Sequence, residues 1–219
     1  MSIQLYNMDC MDYLKDLPDK AFDLAIVDPP YGLGQDKTTR PSRGRTETAS
    51  YAVKDWDREP ASIEYFRELE RTSRHRIIWG ANHFVSRIPF DSPCWLVWDK
   101  MTKGNTADCE LAWTSFPTAV RKFEFLWEGF WQGDMKNKEQ RIHPTQKPVK
   151  LYEWLLTNYA KPGQRILDTH LGSGSSAIAA YNLDFDFTGI ELDKEYFEAA
   201  SRRLEEHKRQ TRLFDVLEA

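Results

Sequence analysis

The chain has 219 residues, with 30 Lys+Arg against 34 Asp+Glu for a net charge of -4, and 41% of its residues are apolar. That length suits one domain, residues 1–219, burying about 70% of the unfolded chain's surface. A mean hydropathy of -0.65 excludes a membrane protein, and the charge balance excludes a uniformly basic coat while leaving room for a local basic patch.

The longest stretch free of Asp, Glu, Lys and Arg, Thr169–Leu183, is rich in Ser and Gly and too short to span a bilayer. The first residues show no basic leader followed by an apolar run, so no secretory signal is read. Cys10, Cys94 and Cys109 form no C-x-x-C pair. No metal or disulfide framework is expected, and the setting read from this is cytoplasmic.

Strand-length apolar runs alternate with helical patterns, predicting an α/β fold with a mostly parallel central sheet and helices on both faces. In chain order, Ile3–Asn7 reads as a strand and Met11–Leu17 as a helical turn stopped by Pro18. Leu24–Val27 reads as a strand and Ile63–Thr72 as a helix. Four more strands follow at Arg76–Gly80, Trp95–Trp98, Leu111–Ser115 and Lys122–Leu126. Pro148–Tyr159 is a helix with Pro at its first position, ended by Pro162-Gly163. Strand Arg165–Asp168, helix Ser175–Tyr181, strand Phe187–Ile190 and a helix from Lys194 complete the pattern. Gly32–Pro60 and Gly129–Lys147 show no regular pattern and read as loops, the first long enough to be a working lid or disordered.

Two motifs carry chemistry. The run Ile166-Leu167-Asp168-Thr169-His170-Leu171-Gly172-Ser173-Gly174-Ser175 takes an apolar strand through a glycine turn into a helix, where a ligand can approach the backbone closely. Glu191, at the end of the next strand, is placed to bind two ribose hydroxyls. The pattern also satisfies the dinucleotide fingerprint, so by itself it specifies an adenosine-containing cofactor and no more. The second motif, Asp28-Pro29-Pro30-Tyr31, closes the strand over Leu24–Val27. A carboxylate beside a proline carbonyl makes a pair of acceptors, and Tyr31 offers a stacking face. The constellation suits an exocyclic amino group on a flat base.

Together these motifs resemble those of the amino-methyltransferases that modify adenine N6 or cytosine N4 in DNA, in the circularly permuted β group, where the catalytic motif precedes the cofactor motif. The resemblance implies a Rossmann-like methyltransferase fold and S-adenosylmethionine as cofactor, with Asp28, Pro29, Pro30 and Tyr31 catalytic. Asp9 and Cys10 of Tyr6-Asn7-Met8-Asp9-Cys10 resemble the short acidic motif beside the cofactor adenine. Lys147 of His143-Pro144-Thr145-Gln146-Lys147-Pro148 falls near the methionine end. Asp28, Asp168, His170, Gly172, Ser173, Gly174 and Glu191 complete the implied cofactor site. Trp79–Phe84 and Glu110–Ser115 resemble strand-end segments lining the target pocket. One departure is Asp168-Thr169-His170-Leu171, where the family usually has Asp-Pro-Phe and a small residue. Another is the short interval at about 127–147, where sequence-specific members carry a sizeable recognition region.

The implied reaction transfers a methyl group to a flipped base, adenine N6 being favoured by Asp at position 28 and cytosine N4 being the alternative, in a restriction-modification or other DNA-methylation setting. DNA is the expected partner, and a homodimer is compatible with the sequence. Phosphate contacts are expected from Lys37, Arg40, Arg43 and Arg45 in a loop at about 32–60 that DNA would order, and from Lys136, Lys138 and Arg141. Two other classes remain: an NAD-dependent oxidoreductase, which leaves Asp28–Tyr31 unexplained, and a non-catalytic nucleic-acid-binding module, against which intact Asp28 and Tyr31 argue.

Overall fold

A computed structural model describes residues 1–34, 57–88, 90–102, 107–128 and 131–217. The chain opens with β1 (Ile3–Asn7), α1 (Cys10–Lys15), β2 (Phe22–Val27), α2 (Ile63–Thr72) and β3 (Ser73–Trp79). It continues through β4 (Trp95–Asp99), β5 (Cys109–Thr114), β6 (Arg121–Glu124) and the short pair β7 (Trp127–Glu128) and β8 (Trp131–Gln132). The last third holds α3 (Val149–Tyr159), β9 (Arg165–Asp168), α4 (Ser175–Asn182), β10 (Asp186–Glu191) and α5 (Lys194–Leu217).

The sheet order is β1-β10-β9-β2-β3-β5-β4-β6. Its pairs are parallel except that β5 runs antiparallel to both β3 and β4. Apolar runs without polar alternation suit strands covered on both faces, and the two faces can be read along β2. Leu24 and Ile26 belong to a core shared with Leu151 and Leu155 of α3, Ile178 of α4 and Leu204 of α5. Ala25 and Val27 belong to another shared with Leu14 of α1 and Tyr65, Phe66 and Leu69 of α2. Helices therefore cover both faces, giving the α/β sandwich that the alternation predicts and the Rossmann-like arrangement that the resemblance implies.

Helix entry follows capping chemistry. Asp9 caps α1 by accepting from Met11 N, and Ser62 caps α2 by accepting from Tyr65 N at 3.1 Å. Before α4 the cap is Gly174 at φ +74°, where a Cβ would press on Ala200 at 3.1 Å.

Beyond β9 the chain crosses through α4 to β10, and beyond β2 it crosses through α2 to β3 on the opposite face. The order of strands therefore reverses between β9 and β2, the crevice where open α/β sheets bind ligands. Asp168 and Asp28 stand at the two lips of that crevice, with Asp9 and Glu191 further along the same edge.

Four expectations need correction. Pro148 caps α3 and is not its first residue. The first helix is Cys10–Lys15, because Asp9 caps it one residue early and Leu17 N closes on Leu14 O. β3 begins at Ser73 directly after α2, its start hidden by polar Ser73, Arg74 and His75. The interval before Lys147 holds the β7–β8 hairpin, with Trp127 paired to Gln132.

Candidate active site

One cleft, about 240 Å³ in volume, opens along this edge and takes in Met8, Asp9, Cys10, Asp28, Pro30, Lys147, His170, Gly172, Ser173 and Glu191. Two motifs 140 residues apart thus share one cavity, and most residues of the expected cofactor site lie on its wall. Asp168 and Gly174, also expected there, sit behind that wall.

On the glycine-turn side the acids are held by backbone donors. Glu191 Oε2 accepts from Gly172 N at 2.8 Å and Oε1 from Asp193 N at 2.9 Å. A carboxylate has roughly four acceptor positions, so Glu191 keeps capacity for two hydroxyls. Burial raises its carboxyl above the ordinary range, against the pull of those N–H groups. Asp168 is 1% exposed and accepts from Ser176 Oγ at 2.6 Å and from His170 N at 3.0 Å. Burial pushes its carboxyl up to about 7, and pushes the Cys10 thiol up to about 12.

His170, the departure from the family pattern, hydrogen-bonds Thr169 Oγ1 through Nδ1 at 3.0 Å, and Thr169 in turn meets Tyr65 Oη at 2.6 Å. Burial lowers its imidazole to about 4, so the ring is neutral.

On the Asp28 side the groups are engaged with one another. Tyr31 Oη donates to Asp28 Oδ1 at 2.5 Å, and Lys147 Nζ donates to Oδ2 at 2.5 Å. Lys147 Nζ also lies 3.1 Å from Glu110 Oε2, while Lys100 Nζ binds Glu110 Oε1 at 2.6 Å. Burial opposes every charge here. It raises Asp28, with Lys147 pulling the other way. In Glu110 the Lys147 and Lys100 ammoniums outweigh burial and hold the carboxyl at about 2. In Lys147 the two acids outweigh burial and raise the ammonium.

The Tyr31 ring stacks on His83, centroids 5.0 Å apart and planes 19° from parallel. Its other constraint is Gly80, at φ +67°, where a Cβ would collide with Cε1 and Cζ of Tyr31. Asp57, 1% exposed, accepts from Tyr31 N and Gly32 N at 2.8 Å each, and Arg87 Nη1 donates to Pro60 O and Ala61 O at 2.7 Å. These contacts hold residues 57–61 beside the motif.

Sequence reasoning places Lys147 at the cofactor's methionine end; in the structure it lines the cleft with its ammonium on Asp28 and Glu110. His83 and Glu110 fall in segments that resemblance places at the target pocket, but their partners, like those of Asp57, lie dozens of residues away and leave no local signal. Lys37, Arg40, Arg43 and Arg45 lie outside the described residues. Lys136 and Lys138 are exposed, whereas Arg141 is half-buried with its guanidinium 4.9 Å from the Trp127 ring centre. Among the described residues no three His, Cys, Asp or Glu side chains gather as a metal site, and no helix is long and apolar enough to cross a membrane.

Comparison with known proteins agrees with this geometry. Type II methyltransferase M.HinfI of Haemophilus influenzae is 26% identical over 91% of this chain and 67% of its own length. Type II methyltransferase M.HpaI of Haemophilus parainfluenzae is 27% identical over 94% of this chain and 75% of its own. The crystal structure of the M1.HpyAVI–SAM complex superposes with a TM-score of 0.57 at 22% identity, covering 92% of this chain and 99% of that one, and so shares the fold. The sequence model of the N6/N4 DNA methylase family matches residues 92–202, just over half of the chain, from β4 into α5. The chain belongs to the N6/N4 family of DNA methylases.

Proposed function

We propose that the protein transfers a methyl group from S-adenosylmethionine to the exocyclic amino group of a base flipped out of DNA, with adenine N6 as the acceptor. The observation that carries this reading is that Asp28 and Pro30 open into the same cleft as Gly172 and Glu191. A methyl donor and an amine acceptor must meet within van der Waals reach, so positioning supplies much of the rate.

The residues present fit such a cofactor. Glu191, with two acceptor positions still open, suits the ribose hydroxyls, and the φ +51° backbone at Gly172 leaves only ordinary contacts where a Cβ would stand. Asp9 and Cys10 are assigned to the adenine end. Thr169, His170 and Ser173 line the path to Asp28, with buried Asp168 holding the turn behind them. When bound, the cofactor supplies a methyl group on a sulfonium sulfur.

On the acceptor side, the amine donates its two N–H groups to the Asp28 carboxylate and the Pro29 carbonyl. These acceptors favour a more tetrahedral nitrogen and stabilise the positive charge it gains. Tyr31 releases Asp28 and stacks on the base, offsetting part of the few kcal/mol that flipping costs. Asp at position 28 supports adenine N6 over cytosine N4. Exposed Lys136 and Lys138, with Lys37, Arg40, Arg43 and Arg45, are assigned to phosphates.

The test is incubation of the protein with unmethylated DNA and tritiated S-adenosylmethionine, followed by nucleoside chromatography. Label in N6-methyladenine is the expected result. Label in N4-methylcytosine would change the acceptor and keep the chemistry; DNA without label would overturn the reading.

A further inference from the structure

The geometry points to Glu110 as a positioning residue for methyl transfer, one that holds the Lys147 ammonium between two acids and so keeps Asp28 correctly placed toward the acceptor nitrogen. The inference rests on the methyl-transfer reading above and extends it to a residue outside both motifs.

Glu110 reaches the site through topology. β5 runs antiparallel to β3, with Ala112 opposite Trp79. The residue two positions earlier in β5 therefore projects past the carboxyl end of β3, onto the edge where β2 delivers Asp28. A parallel β5 would have sent Glu110 to the far side of the sheet. At this edge Glu110 meets Lys147 at 3.1 Å, and Lys147 meets Asp28 at 2.5 Å. The Lys147 side chain is 3% exposed and its ammonium lies 5.7 Å from the ring centres of both Tyr31 and Trp79, so little water screens the three charges.

The chemistry explains why a second acid is needed. In the transfer the amine lone pair forms the new C–N bond while the C–S bonding pair returns to sulfur. The products are a neutral thioether and a cationic nitrogen, which then loses one proton to water. Positive charge thus arrives at the nitrogen that Asp28 faces. A lone ammonium on Asp28 would cancel the carboxylate's charge and repel the cationic nitrogen. With Glu110 on the other side of Lys147, the ammonium is shared between two acids, which leaves more of the Asp28 charge to face the nitrogen. Lys100 closes the cluster on the other oxygen of Glu110 at 2.6 Å, so the two acids and two ammoniums balance. A buried ion cluster kept for stability alone could be replaced by apolar side chains at little cost; this one sets the Asp28 carboxylate at the reacting edge.

Four variants test the assignment by steady-state methylation of DNA alongside thermal melting: Glu110→Gln, Glu110→Asp, Lys147→Gln and the double variant Glu110→Gln/Lys147→Gln. Glu110→Gln is expected to lower kcat about tenfold or more, less than the hundredfold or more lost with a directly contacting group. KM for S-adenosylmethionine should stay within about twofold, and Glu110→Asp should recover part of kcat. Because Glu110 acts through Lys147, the double variant should be no slower than Lys147→Gln alone. A wild-type kcat in Glu110→Gln, or a double variant whose loss is the product of the two single losses, overturns the assignment. Should Glu110→Gln fail to fold, Lys147→Gln decides: because Glu110 acts through Lys147, wild-type kcat in that variant overturns the assignment. Failure of the unaltered protein to methylate DNA at all would instead overturn the methyl-transfer reading, and the assignment with it.

Discussion

The two lips of the crevice are built in opposite ways. On the β9–β10 lip, Asp168 and Glu191 are fixed by N–H and hydroxyl donors from the turn and helix that follow each strand, and their cleft is open. On the β2–β3 lip, Tyr31, Lys147, Asp28 and Glu110 satisfy one another, and His83 covers a face of Tyr31. One lip is preorganised by backbone whose geometry does not depend on a ligand. The other holds long side chains in mutual contacts that an entering base must replace. The difference matches the ligands proposed for them, a small cofactor that diffuses in and a base that must first be pulled from a stack. Order on the second lip still exists, but it is carried by Gly80, Asp57 and the ion cluster around Lys147.

That contrast can be broken from either side. The largest effect is expected from Asp28→Ala: no measurable methyl transfer in the tritium assay, with S-adenosylmethionine affinity by calorimetry within about twofold of the parent, since the affected carboxylate belongs to the base-side lip. Next comes Gly80→Ala. Its Cβ collides with the Tyr31 ring, and a displacement of about 1 Å costs on the order of 100-fold in transfer rate, again without loss of cofactor affinity. Equal losses of cofactor affinity in either variant would show that the lips are not independent.

On the other lip, Asp168 gives a pH signature. Its buried carboxyl titrates near 7 in the folded state, above the roughly 3.9 of an unfolded Asp. The folded state therefore holds its proton more tightly. Stability is fully present below about pH 4 and declines as pH rises through 7, by at most a few kcal/mol. Cofactor-free Asp168→Asn, which cannot ionise, should lose this decline; parallel melting-temperature profiles of the two proteins between pH 5 and pH 8 would refute it. Glu191→Ala should weaken S-adenosylmethionine binding by about 1.5–3 kcal/mol for each lost bond to the carboxylate, and calorimetry showing unchanged affinity would remove Glu191 from the site. The smallest effect belongs to the surface. Replacing Lys136 and Lys138 with Ala should flatten the salt dependence of DNA binding by about two in slope, measured by fluorescence anisotropy, while leaving cofactor binding alone.

Much of this molecule is written locally in its sequence. Apolar runs such as Leu24–Val27 and Ile166–Asp168, followed by turn and cap residues, specify their strands and crossovers, because burial on both faces selects them without reference to distant residues. The glycine turn and Asp28–Tyr31 are legible for the same reason: each completes its chemistry within a few positions. What the sequence does not show is pairing across the fold. The antiparallel insertion of β5 turns Glu110 toward Asp28, the loop before α3 brings Lys147 between them, and Asp57 caps Tyr31 from beyond the 35–56 segment. A charge in a sequence has only a sign. Strand order and direction decide which other charges it meets and how little water separates them, and so only the tertiary structure shows four charged groups, spread from position 28 to position 147, acting as one site.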